Sequence, residues 1–358
     1  MADTVFVLMS SPEEAPYLKY YMQIFDSYGI TYDIILWIRD SKDLNMRGDN
    51  LYIYSESCKT NSGVFSKFLK MIGFAKYANK IIEINKYKSI IVFTIQGALF
   101  INQSLRKRKG KYIIDIRDYS PILNVSLLNC FFKKIVLNSF CTVISSPGFI
   151  DFLPSNYEYI ISHNINPEYI QCKIKKQIKE DNSIKVLTIG MIRDYTSNLE
   201  VIMSLAKEPL ISMEFAGKGI VLDKLKSFVE NYKINNILFS GSYLKKNEGD
   251  IVQRNDIINA YMPNNYNSKI LLSNRLYLSV LYCKPIIVNK NSIQAEFVEK
   301  YSLGITITDC NDLFEKIKDF FHTYDERKFE DNCKRFLSDI RDDIFRHKQM
   351  VEDFINSI

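Results

Sequence analysis

The segment SNRLYLSVLYCKPIIVNKNSIQAEFVEKYSLG, residues 273–304, decides how this chain folds. It predicts a helix, a short buried strand at 285–288 and a second helix, the order found at the carboxyl edge of a parallel sheet. Asn274 is a residue type that caps helices, and Arg275 adds a positive charge where the helix dipole is already positive. Because ligands bind at such strand ends, the segment predicts an anion site there.

Within this segment the run NRLYLSVLYCKPII resembles the donor-binding segment of bacterial GT-B glycosyltransferases, especially the family-4-like enzymes of capsule and O-antigen assembly. It keeps the family's Asn, a basic residue, the Leu-Tyr pair and Lys-Pro followed by two apolar residues. Leu278 stands where the family usually has a ribose-binding Glu, and Cys283 stands where it has Gly. The resemblance implies a GT-B fold, in which two Rossmann-like α/β domains face each other across a cleft.

The composition is that of a globular protein larger than one ordinary core. The chain has 358 residues, 47% of them apolar, and suits two α/β domains. The net charge of +6 is modest, and no nucleic-acid-binding module accompanies it. Seven cysteines form no C-x-x-C pair and cannot all be bridged within one chain, so a reducing cytoplasm is expected. The N-terminal residues have no basic segment before their apolar run and indicate a first strand rather than a signal peptide.

Two alternations of strands and helices define the predicted domains. An N-terminal acceptor domain covers 1–165 and is joined by a C-terminal helix at 340–358. A polar linker covers 166–183, and a C-terminal donor domain covers 184–339.

Apolar runs and helical periodicity give the individual elements. Strands are predicted at 5–9, 32–37, 89–94, 112–116, 141–145, 159–162, 185–189, 213–216, 236–240 and 285–288. Helices are predicted at 15–28, 62–85, 121–140, 198–207, 221–231 and 274–282, with a helical piece from 312 onward.

Several predicted strand ends of the donor domain carry residues suited to a nucleotide. Gly190 and Arg193 follow one strand, and an Arg guanidinium can donate two hydrogen bonds to diphosphate oxygens. Lys218 lies in the Gly-rich turn after the next strand, while Ser242 and Tyr243 follow a third, where the resemblance implies that the nucleobase is held. The alternatives are an ordinary tight turn with a solvent-facing Arg and a surface Tyr.

Three further donor-side residues come from the opening segment. Asn274 and Arg275 are expected to approach the same crevice as Arg193. Glu296 resembles the Glu that related enzymes place near the donor sugar or ribose, although with Lys300 it also forms a plain i,i+4 pair.

The acceptor side is predicted from the first domain. The run DIRDYSP, residues 115–121, resembles the R-D-hydrophobic-x-P segment of transferases that use lipid-linked acceptors. Asp118 would orient or deprotonate the acceptor hydroxyl, and its alternative role is to cap a helix or pair with Arg117. The residues Ser10, Ser11 and Glu13 follow the first strand and are expected to line the acceptor side.

No metal or cofactor is expected. The chain has no H-x-x-x-H, C-x-x-C or D-x-D motif, so neither a zinc site nor a metal-diphosphate clamp is indicated. His163 lies at the predicted strand-to-linker junction, where a hydrogen bond within the linker is its expected role. His322 and His347 are expected to lie far from every strand end.

These observations predict a metal-independent glycosyltransferase of the hexosyltransferase class. Its donor would be a UDP- or GDP-sugar, and its acceptor a lipid-linked or oligosaccharide precursor of a polysaccharide. The resemblance implies retention of configuration. Segments 66–80 and 121–138 mix apolar and basic residues, and 106–109 is a short basic run, so the expected location is the cytoplasm with the inner membrane face as a partner.

Two other classes stay open. Because Leu278 stands in place of the usual Glu, one alternative is a non-catalytic homologue that binds a nucleotide or a sugar. A Rossmann-type NAD-dependent sugar-modifying enzyme would suit the sheets, but no G-x-G-x-x-G follows a predicted strand.

Overall fold

The chain divides into two compact units, each built on its own parallel sheet. In this computed structural model the described residues are 2–10, 15, 17–38, 49–56, 64–165, 170–173 and 183–358. The first unit comprises 1–163 and 343–358, and the second comprises 164–342. Most of the predicted linker, at 166–169 and 174–182, lies outside the described residues.

The first unit holds a seven-stranded sheet in the order β3-β2-β1-β4-β5-β6-β7, with every pair parallel. Its strands are β1 Thr4–Leu8, β2 Tyr32–Ile38, β3 Asn50–Ser55, β4 Ser89–Phe93, β5 Tyr112–Ile116, β6 Cys141–Ile144 and β7 Tyr159–Ile161. Its helices are α1 Leu18–Ser27, α2 Val64–Ile84, α3 Ile95–Phe100, α4 Asn102–Arg106 and α5 Ser126–Leu137. The order reverses between β1 and β4, which is the switch point of a doubly wound sheet.

The second unit holds a six-stranded parallel sheet in the order β10-β9-β8-β11-β12-β13. Its strands are β8 Ile184–Met191, β9 Ile211–Lys218, β10 Ile237–Gly241, β11 Ile257–Ala260, β12 Ile286–Asn289 and β13 Gly304–Ile307. The helices are α6 Tyr195–Leu205, α7 Leu222–Asn231, α8 Glu248–Gln253, α9 Tyr266–Ile270, α10 Asn274–Leu281, α11 Ile293–Tyr301 and α12 Leu313–His322. The last helix, α13 Glu326–Asn356, begins in this unit, and its residues from 343 onward belong to the first. Here the switch point lies between β8 and β11.

The prediction of two Rossmann-like domains is confirmed, and so is the return of the C-terminal helix. Met350, Val351 and Phe354 of α13 belong to the same buried cluster as Phe6 and Phe25 of the first unit. Burying such apolar side chains stabilises a fold by about 1.5–3 kcal/mol each.

The strands β3, β11 and β13 and the short helices α3, α4, α8 and α9 were not predicted, and one helix was predicted wrongly. β3 and β13 are edge strands that are only partly buried, and the four-residue β11 contains a polar Asn, so none of the three strands is a long apolar run. The single helix predicted at 121–140 is instead a 3₁₀ turn at Pro121–Asn124 followed by α5. Pro121 lies at the start of that turn because proline lacks the N–H that a helix interior needs.

Two glycines let the ends of β8 and β9 approach closely. A Cβ on Gly217 would overlap the backbone of Gly190, and a Cβ on Gly219 would overlap that of Ile192. Gly217 also has φ +141°, a conformation that only glycine adopts readily. The Gly-rich turn therefore brings the carboxyl ends of two neighbouring strands together.

A buried polar network links α13 to the first sheet. Arg117 pairs with Asp115 through Nε and Nη2, at 2.5 and 2.7 Å, and its Nη1 donates to the carbonyl of Ser162 at 2.8 Å. Tyr21 donates to Asp115 at 2.8 Å, and Nε2 of His347 lies 3.0 Å from the Tyr21 hydroxyl. The expectation that His347 lies far from every strand end is therefore wrong, since this network begins within β5.

The buried His347 is uncharged at neutral pH. Burial, followed by the nearby positive charge of Arg117, lowers the pKa of His347 well below its usual 6.5. The Asp115–Arg117 ion pair is also buried. Because His347 is neutral, the guanidinium of Arg117 is the positively charged group of this network.

Acidification is expected to destabilise the first unit through His347. Below pH 6.5 the unfolded chain takes up a proton at this residue and the folded chain does not, down to the lowered folded pKa. His347 therefore has no effect on the free energy of unfolding above pH 6.5, and below pH 6.5 it lowers that free energy by up to about 1.4 kcal/mol for each pH unit. Urea unfolding at pH 7.5 and 5.5, followed by the fluorescence of the single, buried Trp37, measures the effect.

The variant His347→Gln should lose this part of the pH dependence. His322→Gln, at an exposed position, should keep the wild-type dependence. The same pH dependence in His347→Gln and wild type would contradict the prediction.

Candidate functional site

The guanidinium of Arg275 joins the two strand ends at the switch point of the second sheet. Its Nε donates to the carbonyl of Ile189 near the end of β8, at 2.8 Å. Its Nη1 donates to the carbonyl of Asn259 near the end of β11, at 3.2 Å. Open α/β sheets bind ligands outside the carboxyl ends of their strands at this point. Arg275 thus lies where the fold itself favours a ligand.

The charge of Arg275 is not neutralised by an ion pair with any described residue. Its hydrogen bonds go to backbone carbonyls, with a longer contact of 3.5 Å from Nη2 to Met191. Burial lowers the pKa of Arg275 to about 10, so the side chain is charged at neutral pH. A half-buried cation without a carboxylate partner is a binding group for an anion.

Tyr243 interacts electrostatically with this arginine and is hydrogen-bonded to Glu248. The Tyr243 hydroxyl donates to Oε1 of Glu248 at 3.2 Å, and Nζ of Lys245 donates to Oε2 at 2.5 Å. Burial, then the charge of Glu248, raises the pKa of Tyr243, while the charge of Arg275 opposes this shift. Sequence reasoning missed Glu248, although its position as the first residue of α8, five residues after Tyr243, offered a signal.

The start of α10 differs from the prediction in one respect. Ser273, not Asn274, occupies the N-cap, and Asn274 is the exposed first residue of the helix. The Ser273 backbone N–H and hydroxyl donate to Oε1 of Gln294, at 3.0 and 2.7 Å. Since Gln294 lies in the first turn of α11, the starts of α10 and α11 are held together.

Cys283 stands where the resemblance expects glycine. It follows α10 with φ +48°, in the left-handed region that glycine adopts most readily. Leu278 lies in the same helix, one turn after Asn274, and is half-buried. The site therefore has no carboxylate where the resemblance expects one.

The remaining predicted donor residues lie along the same edge of the sheet. Gly190, with φ +96°, is the penultimate residue of β8. Arg193 is exposed beside Asp194, whose side chain caps α6 by accepting from the Ser197 N–H at 2.7 Å. Of these predicted residues, Arg193, Lys218, Ser242 and Glu296 are exposed. Among the predicted residues that the structure describes, Arg275 interacts with the end of β8 through hydrogen bonds and with Tyr243 through electrostatics.

The first unit presents polar residues at its own carboxyl edge. Asp118 is exposed in the loop after β5, beside the buried Arg117. Ser10 follows β1 and is half-buried, whereas Ser11 and Glu13 lie outside the described residues. His163 makes its hydrogen bond with Asp343 in the same unit, at 2.9 Å between Nε2 and Oδ2.

Thr94 is a further residue of this edge that sequence reasoning missed. It ends β4 at the switch point with φ +76°, a strained conformation for a β-branched residue. Its side chain accepts from the Gly97 N–H at 3.1 Å, and the neighbouring Gln96 donates to Ser120 at 2.8 Å. Within the described residues, no group of three His, Cys, Asp or Glu side chains could hold a metal ion.

Comparison with known proteins gives a family match for part of the chain. Residues 249–353 match the family model described as the glucosyltransferase 3-like, C-terminal domain. This segment contains Arg275, all of α9 to α12, and α8 except its first residue, Glu248. A search of curated proteins found no match.

Solved structures resemble the whole chain. Sucrose-phosphate synthase from Thermosynechococcus elongatus is 11% identical with a TM-score of 0.75, covering 99% of this chain and 100% of that one. Anabaena HepE in complex with UDP is 12% identical with a TM-score of 0.67, covering 100% of both chains. The lipopolysaccharide outer core galactosyltransferase WaaB is 12% identical with a TM-score of 0.68, covering 99% of both. The two parallel-sheet units therefore have the GT-B fold.

Proposed function

We propose that this chain is a GT-B glycosyltransferase that transfers a hexose from a UDP- or GDP-sugar. The observation that carries the proposal is the charged Arg275 at the β8/β11 switch point, inside the segment that matches the glucosyltransferase 3-like domain. The fold of UDP-binding HepE supports a nucleotide-sugar donor. UDP is the nucleotide that we favour.

The donor would bind along the carboxyl edge of the second sheet. Arg275 would hold the diphosphate, with Arg193 as a second cation on the loop after β8. Tyr243 would contact the nucleobase, because it follows β10 at this edge, interacts electrostatically with Arg275 and has its hydroxyl fixed by Glu248. Stabilising the charge that develops on the leaving diphosphate is the largest contribution such groups make to transfer.

We propose that this stabilisation requires no metal ion. The two arginines would supply the positive charge that a divalent ion supplies in other transferases. Retention of configuration remains part of the proposal through the resemblance of residues 274–287.

Replacing Arg275 is expected to weaken UDP binding. Arg275→Gln removes the charge but keeps hydrogen-bond donors for the two strand carbonyls, and Kd for UDP should rise about tenfold or more. Arg193→Ala should act in the same direction. Isothermal titration with UDP, GDP and NAD measures these affinities.

The matched control is Arg327→Gln, which removes an exposed arginine of α13. It should leave UDP affinity at the wild-type value. Unchanged affinity in both Arg275→Gln and Arg193→Ala would refute the site. Binding of NAD without UDP or GDP would favour the dinucleotide-dependent alternative.

The acceptor would be a lipid-linked precursor of a polysaccharide such as capsule or O-antigen. Asp118 is the proposed catalytic base or orienting group, since it is exposed at the end of β5 and follows the fixed Arg117. Ser10 would line the same side.

The variant Asp118→Asn should reduce sugar transfer by about 10²- to 10⁴-fold, because an amide cannot take the hydroxyl proton. UDP affinity should stay unchanged. Transfer of labelled sugar from UDP-sugars to a membrane lipid extract gives the rate, with Asp151→Asn as an exposed control in the same unit. Wild-type transfer by Asp118→Asn would contradict the assignment, and bound UDP with no transfer by wild type would favour the non-catalytic alternative.

A surface of the first unit fits the inner face of the cytoplasmic membrane. The helices α2, α3, α4 and α5 contact one another on the sheet, and Phe68 of α2 lies 5.9 Å from Phe100 of α3 between ring centroids. Exposed apolar residues of this surface are Phe68, Leu69, Val125, Leu127 and Phe131. Lysines interleave with them at Lys70, Lys76, Lys80, Lys133 and Lys134.

This mixture would insert apolar side chains at the headgroup boundary while the lysines contact anionic lipid. Among the helices that the structure describes, none has both the length and the hydropathy needed to cross a bilayer. We therefore propose peripheral binding by an otherwise cytoplasmic protein.

Removing the apolar side chain that is most exposed on this surface tests the membrane proposal. Leu127 is 78% exposed, and Leu127→Asp should reduce cosedimentation with vesicles rich in phosphatidylglycerol several-fold. Met203→Asp, at an exposed apolar position of α6 in the second unit, is the control. Equal vesicle binding by Leu127→Asp and Met203→Asp would argue against this surface.

A further inference from the structure

A polar cavity of about 160 Å³ lies at the carboxyl ends of β12 and β13. Its walls come from the loop after β11, from α9, from the loop after β12 and from Thr308 after β13. Neither the nucleotide site nor the acceptor side described above uses these groups.

One wall of the cavity is built by hydrogen bonds within the protein. Oδ1 of Asn289 accepts from the Met262 N–H, and its Nδ2 donates to the Met262 carbonyl, both at 2.7 Å. The Ser292 hydroxyl donates to the Asn289 carbonyl at 2.7 Å and accepts from the Ala295 N–H at 3.2 Å. The loops after β11 and β12 are therefore fixed to each other.

Four further polar side chains of the cavity have their donors available, whereas the Thr308 hydroxyl donates to Oδ2 of Asp309 at 3.4 Å. Lys269 and Lys290 bring ammonium groups, and Asn264 and Asn291 bring amides. None of these four side chains makes a hydrogen bond or an ion pair with any residue that the structure describes. No Asp or Glu is among the lining residues.

Two cations and two amides around one small cavity form a binding site for an anion. The charges attract it, and the amides and ammonium groups donate charge-assisted hydrogen bonds to carboxylate or phosphate oxygens. We propose that this cavity binds the carboxylate or phosphate of a small anion, at a site separate from Arg275.

Strand β11 connects this cavity to the nucleotide site. Asn259, whose carbonyl accepts from Arg275, precedes the fixed Met262 by three residues, a span of at most about 10 Å along the chain. An anionic group on the donor sugar can therefore be the occupant, and that assignment rests on the proposed function. The other candidate occupant with the same charged oxygens is a free inorganic anion.

Titration with sodium phosphate and with glucuronate tests the cavity without using the nucleotide site. The double variant Lys269→Ala/Lys290→Ala should bind both anions about tenfold or more weakly than wild type. Lys269→Arg/Lys290→Arg should keep most of the affinity, and Lys207→Ala/Lys328→Ala removes the same charge from exposed positions as a control.

Nucleotide ligands then distinguish the two sources. If the donor sugar carries the anion, the double alanine variant binds UDP-glucuronate about tenfold more weakly but UDP-glucose and UDP normally. If the occupant is a free anion, phosphate still binds when UDP-glucuronate saturates the protein. Both outcomes support the anion site.

The site is refuted if the double alanine variant and the control variant bind phosphate, glucuronate and UDP-glucuronate equally. Failure of the proposed function has a different signature, because it appears as unchanged UDP affinity in Arg275→Gln. The two failures are therefore distinguishable in the same set of titrations.

Discussion

The second unit depends on one interaction, the donation from Arg275 to the carbonyls of Ile189 and Asn259. At the switch point β8 and β11 are neighbours in the sheet, but their connections run in opposite directions and leave polar backbone groups at the strand ends. One guanidinium satisfies two of these groups and places a positive charge there. Since the charge faces carbonyls rather than a carboxylate, the arrangement favours the arrival of an anion.

Close packing at the same edge holds this arginine in place. The glycines of the turn after β9 allow its backbone to lie against Gly190, so the end of β8 is fixed from the side opposite to β11. The pairing of Ser273 with Gln294 fixes the start of α10, which is the helix that carries Arg275. A ligand at this edge would meet a largely preformed site, which reduces the entropy cost of binding.

The sequence predicted the alternation of strands and helices better than it predicted β11 or the contacts between residues far apart in the chain. The buried runs at β5, β8 and β12 are apolar and were found, because a continuous apolar run needs no partner to be recognised. The four-residue β11 was missed, although Arg275 binds its end. The network of Asp115, Tyr21 and His347 was also missed, since its members are separated by up to 326 residues and only folding brings them together. Arg275 was singled out because its position beside a helix start carries a local signal, and its role in binding stays a prediction.

Leu278 changes the electrostatics of the site rather than simply removing a ligand. A carboxylate on α10, three residues after Arg275, would lie on the same helix face and would pair with it. With leucine there, the cationic character of the arginine is undiminished, and Glu248, the carboxylate bonded to Tyr243, is held by Tyr243 and Lys245. Under the proposed function, charge recognition of a diphosphate is therefore strengthened, while the hydrogen bonds that a glutamate offers to ribose hydroxyls are lost. Discrimination in this site should accordingly come from the diphosphate and the base more than from the ribose.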